Sequence, residues 1–242
     1  MRSKSPNCWA ADTSRRDKAL SAPPPRQSEP DPSPSSRLAP LSGAQGGMLV
    51  AIALAIPLSA WGALYPGNTW LQVGPVAVLL PFAYWALRRW PIGNGSAGCI
   101  AAFVLLHLFA ARWSYSFVPY DIWFGGAIDA TFGFERNMFD RLVHFAFGVL
   151  AVPPMVEWGV RYWRLSLRMA GVFAVMSVLA LGGVYEIFEW SLTLTLAPEA
   201  AGAYNGEQGD MFDAQKDMAL AGLGAVLGAG LAAFMPGVRK PD

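Results

Sequence analysis

Two short segments of the chain bring together the residue types that could do chemistry. Asp140 and His144 are four residues apart, so they share one face of a helix. Asp210, Asp213 and Asp217 follow the spacing i, i+3, i+7, which also predicts a shared helical face. A histidine beside carboxylates can bind a divalent metal ion, here through His144, Asp210, Asp213 and Asp217. It can also transfer protons, with His144 as general base, Asp140 orienting it, and Asp213 and Asp217 as further catalytic candidates.

Further polar residues near these segments are candidates for contacts to a substrate. Arginine can hold a phosphate or carboxylate through two parallel hydrogen bonds. A carboxylate within an apolar helix is costly if it faces lipid, so it should face the interior of a bundle. The predicted substrate-binding residues are Arg136, Arg141, Glu186, Glu189, Gln208 and Asp210. The alternative for the charged residues is an interhelical ion-pair network that fixes helix register.

The charges of these residues do not balance. Arg136, Arg141 and Lys216 supply three positive charges against six acidic residues, Asp140, Glu186, Glu189, Asp210, Asp213 and Asp217. Protonation, a bound cation or exposure to solvent must make up the difference. For His144 and the aspartates, a hydrogen-bonded polar core, a metal site and acid–base chemistry all stay open. For His107, in the middle of an apolar run, we expect a hydrogen-bonded core histidine.

The elements that must position these residues are helices in a membrane. Of the 242 residues, 54% are hydrophobic and only 14% charged, against about 25% charged in soluble domains. The net charge of +1 gives no case for binding nucleic acid. Spanning segments must be helical, because an open strand leaves backbone groups unpaired in lipid. The sequence predicts an all-α, six-span bundle over residues 47–238, with spans at 47–65, 70–87, 97–116, 140–158, 168–195 and 214–235.

Residues 1–46 have a different composition. They contain eight of the 19 prolines, nine serines and seven basic residues, which predicts a disordered tail. Basic residues concentrate on the cytoplasmic side of membrane proteins. If the tail is cytoplasmic, 14 basic residues lie on that side and four on the other. We therefore predict a multi-pass membrane protein with a cytoplasmic N-terminus and a polar site that opens on the opposite side of the membrane.

Four residues around the polar segments are predicted to be structural. Tyr185 and Trp190 are expected to pack or to anchor a helix at the membrane interface. Gly224 and Gly228 are spaced for a close contact between two helices.

Several of these motifs, in this order and spacing, resemble the YjdF family of bacterial inner-membrane proteins, which has no established biochemical role. The resemblance covers about residues 50–235. It departs from the family at Phe212 and Lys216, where the family tends to have tryptophan. The resemblance implies a location in the bacterial inner membrane, with the polar site open to the periplasm. The matching residues are Arg136, Asn137, Asp140, Arg141, His144 and Phe145; Tyr185, Glu186, Glu189 and Trp190; Gln208, Gly209, Asp210, Asp213, Gln215, Asp217 and Met218; and His107, Tyr115 and Pro119.

A sparser frame is similar to VanZ-like membrane proteins, which implies a setting in the cell envelope. The frame consists of Asp140, Arg141, His144, Glu186 or Glu189, Asp213 and Asp217.

Three functions follow as hypotheses. The first is a membrane enzyme or binding protein that acts on an envelope lipid or lipid-linked substrate, with arginines on the anionic group. The second is a small ion- or proton-coupled transporter. The third is a structural subunit of a membrane complex. The near absence of charged residues deeper in the spans favours the first.

Overall fold

The computed structural model describes residues 38–196, 198–235 and 238. Most of the predicted tail, residues 1–37, lies outside them. The described residues contain helices and no strand, which confirms the all-α fold class. In chain order the helices are α1 (Gly43–Ala60), α2 (Pro66–Arg89), α3 (Asn94–Ala111), α4 (Tyr120–Trp123), α5 (Ala127–Phe132), α6 (Phe139–Tyr162), α7 (Leu167–Thr193), α8 (Pro198–Asn205) and α9 (Asp213–Ala232).

Six of these helices correspond to the six predicted spans. Five of them, α1, α2, α3, α6 and α7, are long and apolar enough to cross a membrane. The sixth, α9, has 20 residues, but Asp213, Lys216 and Asp217 in its first turns make it more polar. The bundle therefore has five clear spans and one helix of spanning length with a charged N-terminal end.

Helix α1 begins at Gly43, four residues before the predicted start of the first span. Ser42 forms a capping box there: its hydroxyl accepts a hydrogen bond from Gln45 N at 3.1 Å, and the Gln45 side chain accepts one from Ser42 N at 3.4 Å. This reciprocal pairing satisfies N–H groups that the first turn leaves open. The capping box at Ser42 thus explains why α1 begins within the segment that the sequence assigned to the tail.

Helix α3 ends at Ala111, five residues before the predicted end at residue 116. The chain turns at once, and Ser114 and Tyr115 adopt left-handed backbone conformations with φ of 44° and 56°. Such conformations are uncommon for residues other than glycine and do not continue a right-handed helix. The turn moves Tyr115 off the helix and into the core, where it is buried.

Helices α6 and α9 make the closest helix contact of the bundle through glycines. A Cβ atom built on Gly148 would overlap the backbone of α9 at Ala221, and one on Gly224 would overlap the carbonyl of Phe145. A Cβ on Gly228 would lie 2.7 Å from the Val149 oxygen. We call these three glycines the glycine seam. The predicted helix-contact glycines thus lie where α9 meets α6.

The two ends of the bundle carry different chemistry. At one end, the Glu157 carboxylate accepts a hydrogen bond from Gly93 N at 2.7 Å, at the start of α3. Arg161 and Tyr162 both donate to the Pro91 carbonyl at 2.8 Å. These contacts join the end of α6 to the connection between α2 and α3. We call this the basic end, since Arg88, Arg89, Arg161, Arg164 and Arg168 all lie there.

Candidate functional site

The loop that leads into α6 is fixed by Asn137, two residues before the helix begins. Its side-chain oxygen accepts from Phe139 N at 3.0 Å, and its Nδ2 donates to the Val118 carbonyl at 2.8 Å. Gln208 holds the backbone of Asn137 at both ends, accepting from its N at 2.9 Å and donating to its carbonyl at 3.1 Å. Asn137 and Gln208 thus set where α6 enters the bundle.

Five charged residues form an ion-pair network between this loop, α6 and the start of α9. Asp213 Oδ1 lies 2.6 Å from Arg136 Nη1 and 3.2 Å from Arg141 Nη2. Asp210 Oδ2 lies 2.5 Å from Arg141 Nη2 and 2.6 Å from Lys216 Nζ. We call this the arginine–aspartate network. It corresponds to the structural alternative that the sequence left open for the arginines.

Both aspartates of the network are held by cations on more than one side. Lys216, the Phe212 N–H and Arg141 together hold the pKa of Asp210 well below its usual range. Arg136 also donates to the carbonyls of Gly206 and Glu207 at 3.0 Å. The network therefore holds the segment that connects α8 to α9 against the start of α6.

Directly beside the network lies a second group, which we call the histidine–carboxylate cluster. His144 Nε2 is 3.7 Å from Asp140 Oδ1 and 3.9 Å from Glu186 Oε1. Ligand atoms of Asp140, His144 and Asp217 all lie within 4.8 Å of one another. Helix α6 supplies Asp140 and His144, α7 supplies Glu186 and α9 supplies Asp217. The cluster thus joins three helices.

The polar atoms of this cluster are incompletely satisfied. Asp140, His144 and Asp217 are buried, with 7%, 8% and 3% of their surfaces exposed. Among the described residues, Asp217 Oδ1 and Glu186 Oε1 have no hydrogen-bond partner. Buried oxygens in this condition call for a proton, a water molecule or a cation as a partner. Imidazole nitrogen and carboxylate oxygen together are donors that suit zinc and related divalent metals.

The structure divides the predicted metal ligands into two groups. His144 and Asp217 lie in the cluster, whereas Asp210 and Asp213 are bound by arginine and lysine in the network. Asp140, predicted to orient His144, instead joins the possible ligands. Asp210 leaves the predicted stripe because α9 begins only at Asp213, which puts Asp210 in the preceding turn. Asp213 is on the helix, but its carboxylate is paired with Arg136 and Arg141.

Beside the cluster lie a second buried glutamate, Glu189, one turn closer to the end of α7 than Glu186, and the tyrosines Tyr185 of α7 and Tyr204 of α8. Glu189 and Tyr204 are buried, with 9% and 4% of their surfaces exposed. Burial raises the pKa of Tyr204 to about 12, and the carboxylates of Glu189 and Asp140 add to the shift. The Tyr185 ring lies 6.0 Å from the His144 ring, while Trp190 is 62% exposed on the outside of α7.

His107 is a hydrogen-bonded core histidine, as its position in the sequence suggested. Its Nε2–H donates to the Gln72 carbonyl at 3.1 Å, and its Nδ1 accepts from the Tyr115 hydroxyl. Both ring nitrogens are therefore in use.

Sequence reasoning assigned no role to several residues that build this region. Tyr115 and Tyr204 look like ordinary aromatic residues in the sequence, and nothing there shows that they are buried near the cluster. Asn137 was a motif residue without a role. Its type and its place just before an apolar helix are typical of a capping residue and could have revealed it.

Comparisons with known proteins agree with the fold. The family described as "Predicted membrane protein (DUF2238)" matches residues 45–237. The inner membrane protein YjdF of Escherichia coli (strain K12) is 31% identical over 160 residues, which cover 65% of this chain and 74% of that protein. No solved structure matches the chain. The similarity to VanZ-like proteins stays a prediction. The resemblance to the YjdF family is confirmed, and the chain belongs to the DUF2238 family of predicted membrane proteins.

Proposed function

We propose that this membrane protein binds a divalent metal ion in the histidine–carboxylate cluster and acts there on an anionic envelope lipid or a lipid-linked substrate. One observation carries the metal site: Glu186 Oε1 and Asp217 Oδ1 are buried beside His144 and lack a partner among the described residues. An unsatisfied buried oxygen costs free energy, and a cation would supply the missing partner.

The charge balance supports the same proposal. The arginine–aspartate network sets three cations against two carboxylates, which leaves one positive charge. Next to it lie four more acidic side chains, those of Asp140, Glu186, Glu189 and Asp217. With all four ionised, the network and these four side chains together have an excess of three negative charges. A divalent ion would offset most of it.

The donor set favours one class of metal. One imidazole nitrogen with carboxylate oxygens suits zinc, manganese or ferrous iron, whereas magnesium and calcium favour oxygen donors alone. His144, Asp140 and Asp217 would hold the ion, with Glu186 as a further ligand. Such an ion can polarise a phosphoryl or carbonyl oxygen, or acidify a bound water.

Residues around the cluster support an anionic substrate with an apolar part. The Nε atoms of Arg136 and Arg141 are buried and have no acceptor among the described residues. The Lys216 side chain is 50% exposed at the rim. Met211 and Phe212 beside it are 84% and 56% exposed, as suits contact with lipid. A phosphate-bearing lipid headgroup matches this combination of cationic donors and apolar rim.

We further propose that this end of the bundle faces the periplasm. The basic end carries five arginines in the described residues, and positive charge marks the cytoplasmic side. Single cysteines at Ser166 and Glu135, in an otherwise cysteine-free chain, test the orientation by labelling with a membrane-impermeant thiol reagent in intact cells. Labelling is expected at residue 135 alone, and labelling at residue 166 alone would reverse the orientation.

Metal content is the direct test of the proposed site. The protein is purified in detergent without chelators, and bound metals are counted by mass spectrometry. We expect about one zinc, manganese or iron ion per chain in the wild type and a loss of it in Asp217→Asn. Glu135→Gln is the matched control, because Glu135 is an exposed carboxylate on the same side of the protein.

Two results would overturn the metal site. One is a wild type without metal, even after incubation with zinc or manganese. The other is equal metal content in the wild type and Asp217→Asn. If metal binds at the cluster, headgroup phosphate release from purified envelope lipids then tests the proposed activity, and Asp217→Asn should abolish it.

A proton-coupled transporter is the second candidate, because polar groups continue from the cluster into the bundle. Tyr115 is buried, interacts electrostatically with Asp140 and Glu189, and donates its hydroxyl proton to His107. Proton flux in proteoliposomes, compared between the wild type and Tyr115→Phe, tests this route. A flux lost in the variant supports transport, whereas no flux in the wild type excludes it. A structural role in a membrane complex stays the third prediction.

A further inference from the structure

A groove of about 570 Å³ lies between α7 and α9 on the outside of the bundle. Its walls are apolar and include Val172, Val175 and Val226. Val172 and Val226 are 57% and 60% exposed, so the groove faces outward. Gly171 and Ala229 leave the floor of the groove open because neither has a long side chain. A Cβ atom built on Gly171 would lie 3.9 Å from the Cβ of Ala229.

One end of the groove carries a positive charge. Arg168 is the charged residue among those that line it, and it is exposed in the first turn of α7. Within the part of the chain that the structure describes, Arg168 has no carboxylate within ion-pair distance. Arg161, by contrast, is paired with Glu157 at 3.2 Å. The guanidinium of Arg168 is therefore available to an external anion.

The length of the groove matches one leaflet of a bilayer. Its lining on α7 runs from Leu167 to Met176, which is about 14 Å at the rise of a helix. Half the hydrocarbon thickness of a bilayer is about 15 Å. The charged end lies at the basic end of the bundle, and the apolar walls extend from it along α7 and α9.

We propose that this groove binds an anionic phospholipid, with one acyl chain between α7 and α9 and its phosphate on Arg168. The order of polarity, a cationic mouth followed by an apolar channel, is that of such a lipid. Guanidinium groups bind phosphate through paired, charge-assisted hydrogen bonds. The site is independent of the proposed metal site, because Arg168 and Glu186 lie about 27 Å apart along α7.

The chain contains matched controls for both parts of the proposal. A second groove, of about 380 Å³, lies on the other side of α7 between Met155 and Ala180 and has no charged residue in its lining. Ala180→Leu fills that groove, whereas Ala229→Leu fills the proposed site. Arg164→Gln removes an exposed arginine from the same end that does not line the groove.

The experiment counts lipids bound to the detergent-solubilised protein by native mass spectrometry. The probes are dioleoyl phosphatidylglycerol, dioleoyl phosphatidylcholine with the same chains, and inorganic phosphate. The wild type is expected to bind phosphatidylglycerol in preference to phosphatidylcholine. Arg168→Gln should weaken this binding about fivefold, as removal of one basic contact at a membrane surface implies. Ala229→Leu should weaken binding of both lipids, while Arg164→Gln and Ala180→Leu should match the wild type.

Several outcomes would overturn the proposal. Equal binding of the two lipids, or an equal loss of phosphatidylglycerol binding in Arg168→Gln and Arg164→Gln, would show that Arg168 makes no specific contact with the headgroup. Inorganic phosphate that competes fully with the lipid would show a free-anion site without an acyl groove. A dimer that disappears in Ala229→Leu, with no lipid preference in the wild type, would assign the groove to a second copy of the chain.

Discussion

The arginine–aspartate network and the histidine–carboxylate cluster lie side by side, share helices α6 and α9, and differ in how their charges are matched. In the network, each aspartate oxygen that forms ion pairs meets two or more cationic nitrogens, the nearest at 2.5 or 2.6 Å. In the cluster, the nearest contacts of His144 to carboxylates are 3.7 and 3.9 Å, and two oxygens have no partner among the described residues. The carboxylates of the network are thus matched by cations, although the Nε atoms of Arg136 and Arg141 still lack an acceptor among the described residues, whereas the carboxylates of the cluster are unmatched.

This difference teaches which substitutions should damage the fold and which should damage function. Removing one partner from a matched, buried ion pair leaves the other charge unpaired. Removing a carboxylate from a group of unmatched carboxylates relieves repulsion between them, and the only loss expected is that of metal binding. Stability and metal binding should therefore respond in opposite ways to aspartate substitutions that are only one helical turn apart.

The largest effect is expected from Asp213→Ala in the network. It removes the more buried of the two carboxylates that Arg136 and Arg141 share and leaves three cations against Asp210 alone, and the loss of one partner from a buried ion pair typically costs about 3–5 kcal/mol. The free energy of unfolding, measured by denaturant titration in mixed micelles, should fall by that order. Glu135→Gln, an exposed carboxylate on the same side, serves as the control. A variant as stable as the wild type would show that the network is not structural.

A smaller loss is expected from Gly224→Ala on the glycine seam. The added Cβ meets the Phe145 carbonyl, and forcing extra volume into a packed contact typically costs about 1–3 kcal/mol. Because the seam positions α6 against α9, unfolding should occur at lower denaturant and metal binding should weaken together.

Gly230→Ala is the control for the seam, since nothing lies within 4 Å of a Cβ at Gly230 in the same helix. Its stability should equal or slightly exceed that of the wild type, because alanine favours the helix. Equal behaviour of the two alanine variants would contradict the role of close packing at Gly224.

The third effect has the opposite sign. Asp217→Asn in the cluster should raise the free energy of unfolding of the metal-free protein by about 1 kcal/mol, because it removes one of several like charges. Added zinc or manganese should stabilise the wild type and leave the variant unchanged. Thermal unfolding with and without metal measures both. A metal-free variant less stable than the wild type would place Asp217 with the network instead.

The smallest effect concerns the pH dependence of Asp210. Its pKa is lowered in the folded protein, so its ion pairs add stability above the unfolded pKa of about 3.9 and lose it as pH falls toward the folded value. Asp210→Asn should therefore be less stable than the wild type at pH 7, and the gap should narrow below pH 4. Unfolding temperatures of both proteins across this range measure the gap. A gap that is constant with pH would exclude an ionised Asp210 as the cause.

Helical periodicity explains which parts of this site the sequence could predict. The spacing of Asp140 and His144 placed them on one face of α6, and both lie in the cluster. The spacing from Asp210 to Asp217 predicted one stripe. The stripe is broken because the helix starts at Asp213, and the exact start of a helix depends on contacts that periodicity does not contain.

The partners of the long side chains could not be predicted in the same way. For Arg136 and Arg141 the sequence left a bound ligand and an ion-pair network open, and the structure shows both paired with aspartates about 70 positions further along the chain. Which acid a flexible arginine reaches is decided by the packing of α6 on α9, so it becomes visible only in three dimensions. The burial of Tyr115 likewise depends on the left-handed turn at Ser114 and Tyr115, and neither residue type predicts such a turn.

The glycine seam also has a consequence for how the protein is made. Asp140 and His144 enter the membrane with α6, but the surface that covers them belongs to α9, and the whole of α7 and α8 is synthesised in between. Until α9 is inserted, α6 presents Gly148 and two polar side chains without the helix that packs on them. The polar site is thus completed only after α9 has been synthesised, and a chain cut short before α9 would be left with these polar groups uncovered by that helix.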